Sequence, residues 1–176
     1  MERRSFLEIR TDAPRRRIEG YAARFGIEAR IGNFTETIAR GAFAASLASD
    51  ILGLLDHDPG KVLGRTRSGT LRLSEDDKGL SFSLDLPDTQ AGRDVLALAE
   101  RSDLGGMSFG FLVPRGGDSW AGTRRTLQRV DLKEISVVQS HPAYEGTEIA
   151  LRSRQADLET EARRRRLVMA ELGVWA

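Results

Sequence analysis

The strictest constraint on this chain is a period-two pattern between Leu71 and Leu86. Leu71 and Leu73 alternate with Arg72 and Ser74, a Glu75-Asp76-Asp77-Lys78-Gly79 turn follows, and Leu80, Phe82, Leu84 and Leu86 then fall on one face. Alternation of this kind buries one face of a strand and wets the other, and a polar turn between two such runs is the signature of a β-hairpin. The hairpin sets the class of the fold, because the rest of the chain offers more strands and few helices. Residues 5–11 alternate at Leu7 and Ile9, and residues 17–25 read as their partner strand across a turn with Asp12 and Pro14. Phe34–Arg40 is extended, Ile51–His57 is a continuous apolar run suited to a buried strand, and Met107–Val113, Arg125–Val130 and Leu132–Val138 complete the β pattern.

Two segments before residue 150 read as helix. Gly41–Ser49 is alanine-rich, and Thr89–Ser102 places Ala91, Val95 and Leu98 at helical spacing behind an Asp88 or Thr89 cap. Gly26–Asn33 reads as an irregular loop. From residue 152 the character changes. Four consecutive arginines (163–166), several glutamates and a thin stripe of Leu158, Leu167 and Leu172 predict a polar helix. The expected organisation is therefore a mainly β domain with flanking helices over residues 1–151 and a charged helical tail over 152–176.

Composition narrows the chemistry. The 176 residues carry 27 basic and 26 acidic side chains, a net charge of +1, so no global field draws the chain to nucleic acid or to an anionic membrane. There is no cysteine, which removes disulfides, thiolate nucleophiles and thiolate metal sites together. No apolar run is long enough to span a bilayer, and the first ten residues lack a signal-peptide core. Only His57 and His141 can act as an imidazole base, and no cofactor or metal is expected.

Two short segments concentrate the remaining chemistry. Leu54-Leu55-Asp56-His57 ends an apolar run on a histidine, and Gly106-Met107-Ser108-Phe109-Gly110 sets a serine between glycines. A histidine that reaches a serine hydroxyl makes a nucleophile. Taken singly, Ser108 also reads as a small residue at a tight strand crossing, and His57 as a satisfied strand-end histidine. The Gly-x-Ser-x-Gly pattern suggests the nucleophile elbow of an α/β-hydrolase, and hence a small esterase. Three features oppose that fold. Ser108 is followed by a strand and not a helix, only 68 residues remain after it, and the chain lacks alternating β and α units. Three residues compete to orient the imidazole. Glu134 lies between apolar neighbours on a strand, where a carboxylate needs a partner. Period-two geometry places it on one face with Leu132 and Ser136, opposite Ile135 and Val137. Asp131 reads as a strand-start residue, and His141 as a loop residue beside Pro142.

In order, Gly20-Tyr21-Ala22-Ala23-Arg24-Phe25, Glu36-Thr37-Ile38-Ala39-Arg40-Gly41-Ala42-Phe43, Leu54-Leu55-Asp56-His57 with Val62-Leu63-Gly64-Arg65, Gly106-Met107-Ser108-Phe109-Gly110-Phe111, and Asp131–Val138 followed by Pro142-Ala143-Tyr144 form five blocks. Together they resemble the prohead maturation proteases of tailed bacteriophages and gene transfer agents, relatives of the herpesvirus assemblins. The resemblance implies a closed β-barrel surrounded by short helices. It implies a serine endopeptidase of the host cytoplasm, acting inside the assembling prohead on scaffold or on the scaffolding N-terminal region of the major capsid protein, and on itself. It carries Ser108 over as nucleophile, His57 as base and Glu134 as the third member. It further implies a homo-oligomer, and a tail that binds scaffold or is removed by self-cleavage. The competing expectation is a catalytically silent assembly scaffold or chaperone with the same barrel.

Overall fold

A computed structural model describes residues 1–6 and 9–140. The described chain is mainly β, with one α-helix. The first sheet has the order β1 (Glu2–Phe6), β10 (Gly106–Leu112), β13 (Asp131–Val138), β6 (Leu52–Leu55) and β7 (Asp58–Arg65). A second runs β2 (Ile9–Asp12), β3 (Arg17–Arg24), β9 (Gly79–Asp85), β8 (Leu71–Glu75). A third runs β11 (Asp118–Ala121), β12 (Arg124–Leu127), β5 (Phe34–Ile38), β4 (Ala29–Ile31). Pairing is antiparallel except for β13 with β6 and β12 with β5. The helix α1 (Gln90–Glu100) packs on β2, β3 and β7.

The alternation at Leu71–Leu86 folds as the hairpin it predicts, with Leu71 opposite Leu84 and Leu73 opposite Phe82. Asp76 closes the turn by accepting from the Lys78 and Gly79 amides at 2.7 and 3.1 Å. Leu80, Phe82 and Leu84 are buried, each contributing about 1.5–3 kcal/mol of apolar transfer. They join a core shared with Met107, Phe109, Ile135 and Val137 of the first sheet. Thr89 caps α1 by accepting from the Gly92 amide, and Val95 is the helix residue most deeply set in that core.

The second feature that holds the sheets together is polar. Glu36 on β5 is 2% exposed and receives Arg4 of β1 at 2.5 and 2.8 Å and Arg125 of β12 at 3.1 Å. Arg125 also donates to Glu2 and Asp118, and the Arg4 guanidinium lies 5.5 Å from the centre of the Phe111 ring. Burial opposes charge on both Glu2 and Arg125, but their mutual bonds outweigh it. Glu2 is held below the usual carboxylate range and Arg125 above the usual guanidinium range.

Several expectations are corrected here. The closed barrel is not made: the described strands form three sheets that do not close into one. Beyond β1 the first sheet continues to β5 and β12 through ion pairs rather than backbone bonds. Gly41–Ser49 is not an α-helix but turns around a 3-10 segment, Ala44–Ser46. Its Ser46 hydroxyl donates to the Val130 carbonyl and accepts from the Leu132 amide, tertiary bonds that tie this segment to the start of β13. The loop expected at 26–33 contains β4, and β7 and β11 are additional strands. β7 carries Pro59 and Gly60, poor strand formers tolerated because it is an edge. A β-bulge at Gly110/Phe111 pairs Phe111 with Leu132, so Leu132 joins the core instead of sharing the Glu134 face. The helical tail at 152–176 lies outside the described residues.

Candidate active site

His57 is set by a two-residue hairpin turn. The buried run Leu54-Leu55 closes β6, Leu55 pairs with Asp58, and Asp56 and His57 between them have φ of 49° and 60°. Two positive φ values match the twist of such a hairpin but favour Asn-Gly or Gly-Gly, so a histidine in the second position is strained. The turn is tied to the end of β13. The Asp56 amide donates to the Val137 carbonyl at 2.9 Å, and the Asp56 carboxylate accepts from the backbone and side-chain amides of Gln139 at 2.9 and 2.6 Å. Because β6 runs parallel to β13 with Leu55 beside Val137, the turn lies at the end of β13 and the imidazole reaches back to Glu134.

Glu134 meets it there. The carboxylate is 3% exposed, and its Oε1 lies 2.7 Å from His57 Nδ1. Its Oε2 accepts from the Ser136 hydroxyl at 2.5 Å, and Arg3 Nε stands 4.0 Å from Oε1. An ionised Glu134 makes Nδ1 the protonated nitrogen and leaves Nε2 as the base. Space for the carboxylate comes from β10. Gly110 pairs with Glu134, and a Cβ at Gly110 would lie 2.3 Å from Oε1.

Ser108 sits on β10 directly opposite Ser136, and residues opposite each other in an antiparallel ladder share a face. Ser108, Ser136 and Glu134 therefore belong to one polar face of the sheet, while Met107, Phe109, Ile135 and Val137 fill the other. Ser108 is fully buried, and its hydroxyl has no hydrogen-bond partner among the described residues. The structure thus brings His57 and Glu134 into contact and sets Ser108 on the same face without a bond to His57. Asp131 is exposed at the first residue of β13, and His141 lies outside the described residues. Sequence reasoning did not assign a part to Ser136, Gly110 or Arg3. The period-two face of β13 carried the signal for Ser136; nothing local carried the others.

Among the described residues no group of three or more His, Cys, Asp or Glu is placed to hold a metal ion. No helix among them is long and apolar enough to cross a membrane. A carboxylate-bound imidazole and a buried serine on one strand face are residue types that acyl-transfer chemistry uses. A search of curated proteins returned no match. A family model, described as caudovirus prohead serine protease, matches residues 5–161 and so spans the histidine, serine and glutamate strands alike. The chain belongs to the caudovirus prohead serine protease family.

Proposed function

We propose that this serine protease of phage capsid maturation works through Ser108, His57 and Glu134. Ser108 Oγ attacks the scissile carbonyl carbon while His57 Nε2 takes its proton. The tetrahedral adduct collapses as His57 returns that proton to the leaving amine, and water then hydrolyses the acyl-serine by the same exchange. Glu134 keeps Nδ1 protonated and stabilises the imidazolium. The single observation that carries the assignment is the 2.7 Å contact between His57 Nδ1 and Glu134 Oε1 on the strand face that also bears Ser108. The substrates are scaffold or the N-terminal region of the major capsid protein, and the chain itself, within the assembling prohead of the host. The protease works as a homo-oligomer. Residues 152–176 form a separate tail that binds scaffold or is self-cleaved, which intact mass of active and Ser108→Ala protein distinguishes.

Coexpression with the neighbouring capsid gene tests the proposal. Ser108→Ala should leave the precursor uncut, and normal processing in that variant sinks the assignment. One observation favours the silent-scaffold alternative, the buried and unpartnered Ser108 hydroxyl. Labelling of Ser108 by a serine-directed fluorophosphonate in the assembled particle rejects that alternative.

A further inference from the structure

Glu134 has two oxygens, and only one of them faces the base. The other, Oε2, receives the Ser136 hydroxyl at 2.5 Å. Ser136 is itself fully buried, two residues along the same strand face and directly opposite Ser108. We infer that Ser136 is a positioning residue for the protease, a clamp that fixes the Glu134 carboxylate so that Oε1 alone presents to His57 Nδ1. The inference rests on the assignment of His57 and Glu134 to the reaction.

A buried carboxylate is costly unless its oxygens accept hydrogen bonds. Gly110, paired with Glu134 on β10, has no side chain to donate, and the side chain beside that position is the apolar Met1. Arg3 approaches Oε1, the oxygen already bound to His57, at 4.0 Å. Ser136 is the group that occupies Oε2. Without its hydroxyl the carboxylate is free to turn about its last torsion and offer Oε2 to the imidazole at a longer reach. The imidazole then loses the lock on its Nδ1–H tautomer, and the pull on the Ser108 proton weakens. Ser136 touches no reacting atom in this scheme; it acts through Glu134.

The test uses the full chain and two readouts. A fluorophosphonate probe titrated against wild type and Ser136→Ala separates the maximal phosphonylation rate of Ser108 from the probe's half-saturating concentration. The expected result is a maximal rate about 10- to 100-fold lower, the worth of one charge-assisted hydrogen bond, at an unchanged half-saturating concentration. Ser136→Thr, which keeps the hydroxyl, should recover most of the rate. Proton NMR gives a signature that does not depend on turnover. The low-field resonance of His57 Nδ1–H, identified by its loss in Glu134→Gln, should move or broaden in Ser136→Ala and return in Ser136→Thr. A wild-type rate and an unmoved resonance in Ser136→Ala, with Glu134→Gln slow, overturn the clamp alone. Glu134→Gln at wild-type rate overturns the underlying assignment, and the clamp with it.

Discussion

Two buried carboxylates invite comparison. Glu36 is 2% exposed and Glu134 is 3% exposed, and both stand on strands beside β1 or β10. Glu36 is gripped by two guanidiniums, which carry their charge at any pH a protein meets. Glu134 is held by an imidazole and a hydroxyl, with the Arg3 guanidinium only at 4.0 Å. Both arrangements satisfy the acid, but they differ in what can move. Around Glu36 every partner is a permanent cation, so no proton has reason to transfer. Around Glu134 the protons belong to groups that exchange them, and next to these lies a hydroxyl with no partner. The same residue type thus serves cohesion in one place and, in the proposed mechanism, chemistry in the other, decided by its neighbours.

Substitutions can break this contrast. After Ser108→Ala, the largest expected effect is Glu134→Gln, which should slow precursor cleavage on the order of 10⁴-fold, as loss of an orienting acid does in a serine triad. The fold should persist, read by circular dichroism. If Asp131→Asn or His141→Ala does this instead, the third member is misassigned. Glu36→Gln should do the reverse, lowering unfolding free energy by about 1.5–3 kcal/mol through weakened charge-assisted hydrogen bonds, since Arg4 keeps Glu2 and Arg125 keeps Glu2 and Asp118. Phosphonylation per folded molecule should stay at wild-type rate. Equal loss of Ser108 reactivity in both variants would erase the distinction between the two clusters. Gly110→Ala sharpens it, since the added methyl would meet Glu134 Oε1 at 2.3 Å and should cut the rate about 10- to 100-fold by displacing the acid.

The smallest effect lies outside both clusters. Asp85 is lowered from 3.8 to about 2, first by its hydrogen bond to Arg72 and then by Arg17. A depressed carboxylate stabilises the fold above its unfolded value and loses that contribution as pH falls from 3.8 towards 2. Asp85 is partly exposed, and water screens the pair, so Asp85→Asn should cost at most about 1 kcal/mol at neutral pH. Its urea midpoint should converge on wild type as pH falls to about 2, with cleavage at pH 7 untouched.

Much of this was legible in the chain because it is local. The Leu80–Leu86 alternation, the Thr89 cap and the shared face of Glu134 and Ser136 each depend on residues within a few positions of each other. The meeting of His57 with Glu134 spans 77 positions; the strand pattern made Glu134 one of three candidates, and an ordered set of blocks resembling a family singled it out. Two things had no local signal, and a third had a misleading one. Gly110 is small for the sake of a carboxylate on another strand, a reason invisible from its own neighbours. The grip on Glu36 joins residues 4, 36 and 125 from three strands. The short alanine-rich segment after Gly41 had helix propensity, but its Ser46 hydroxyl is committed to β13, and tertiary bonds outweighed propensity.

The turn at Asp56-His57 has a consequence for how this protease could change over time. A left-handed position costs a side-chain-bearing residue about 1 kcal/mol relative to glycine. His57 is therefore held at a site where the backbone alone would select glycine or asparagine. A chain that gave the histidine up would relax the turn but leave the buried Glu134 without that partner, so the turn and the acid depend on the same residue. His57→Gly should therefore leave the fold no firmer than that of the parent chain, since a bond to a buried carboxylate is worth about 1.5–3 kcal/mol against about 1 kcal/mol of backbone relief.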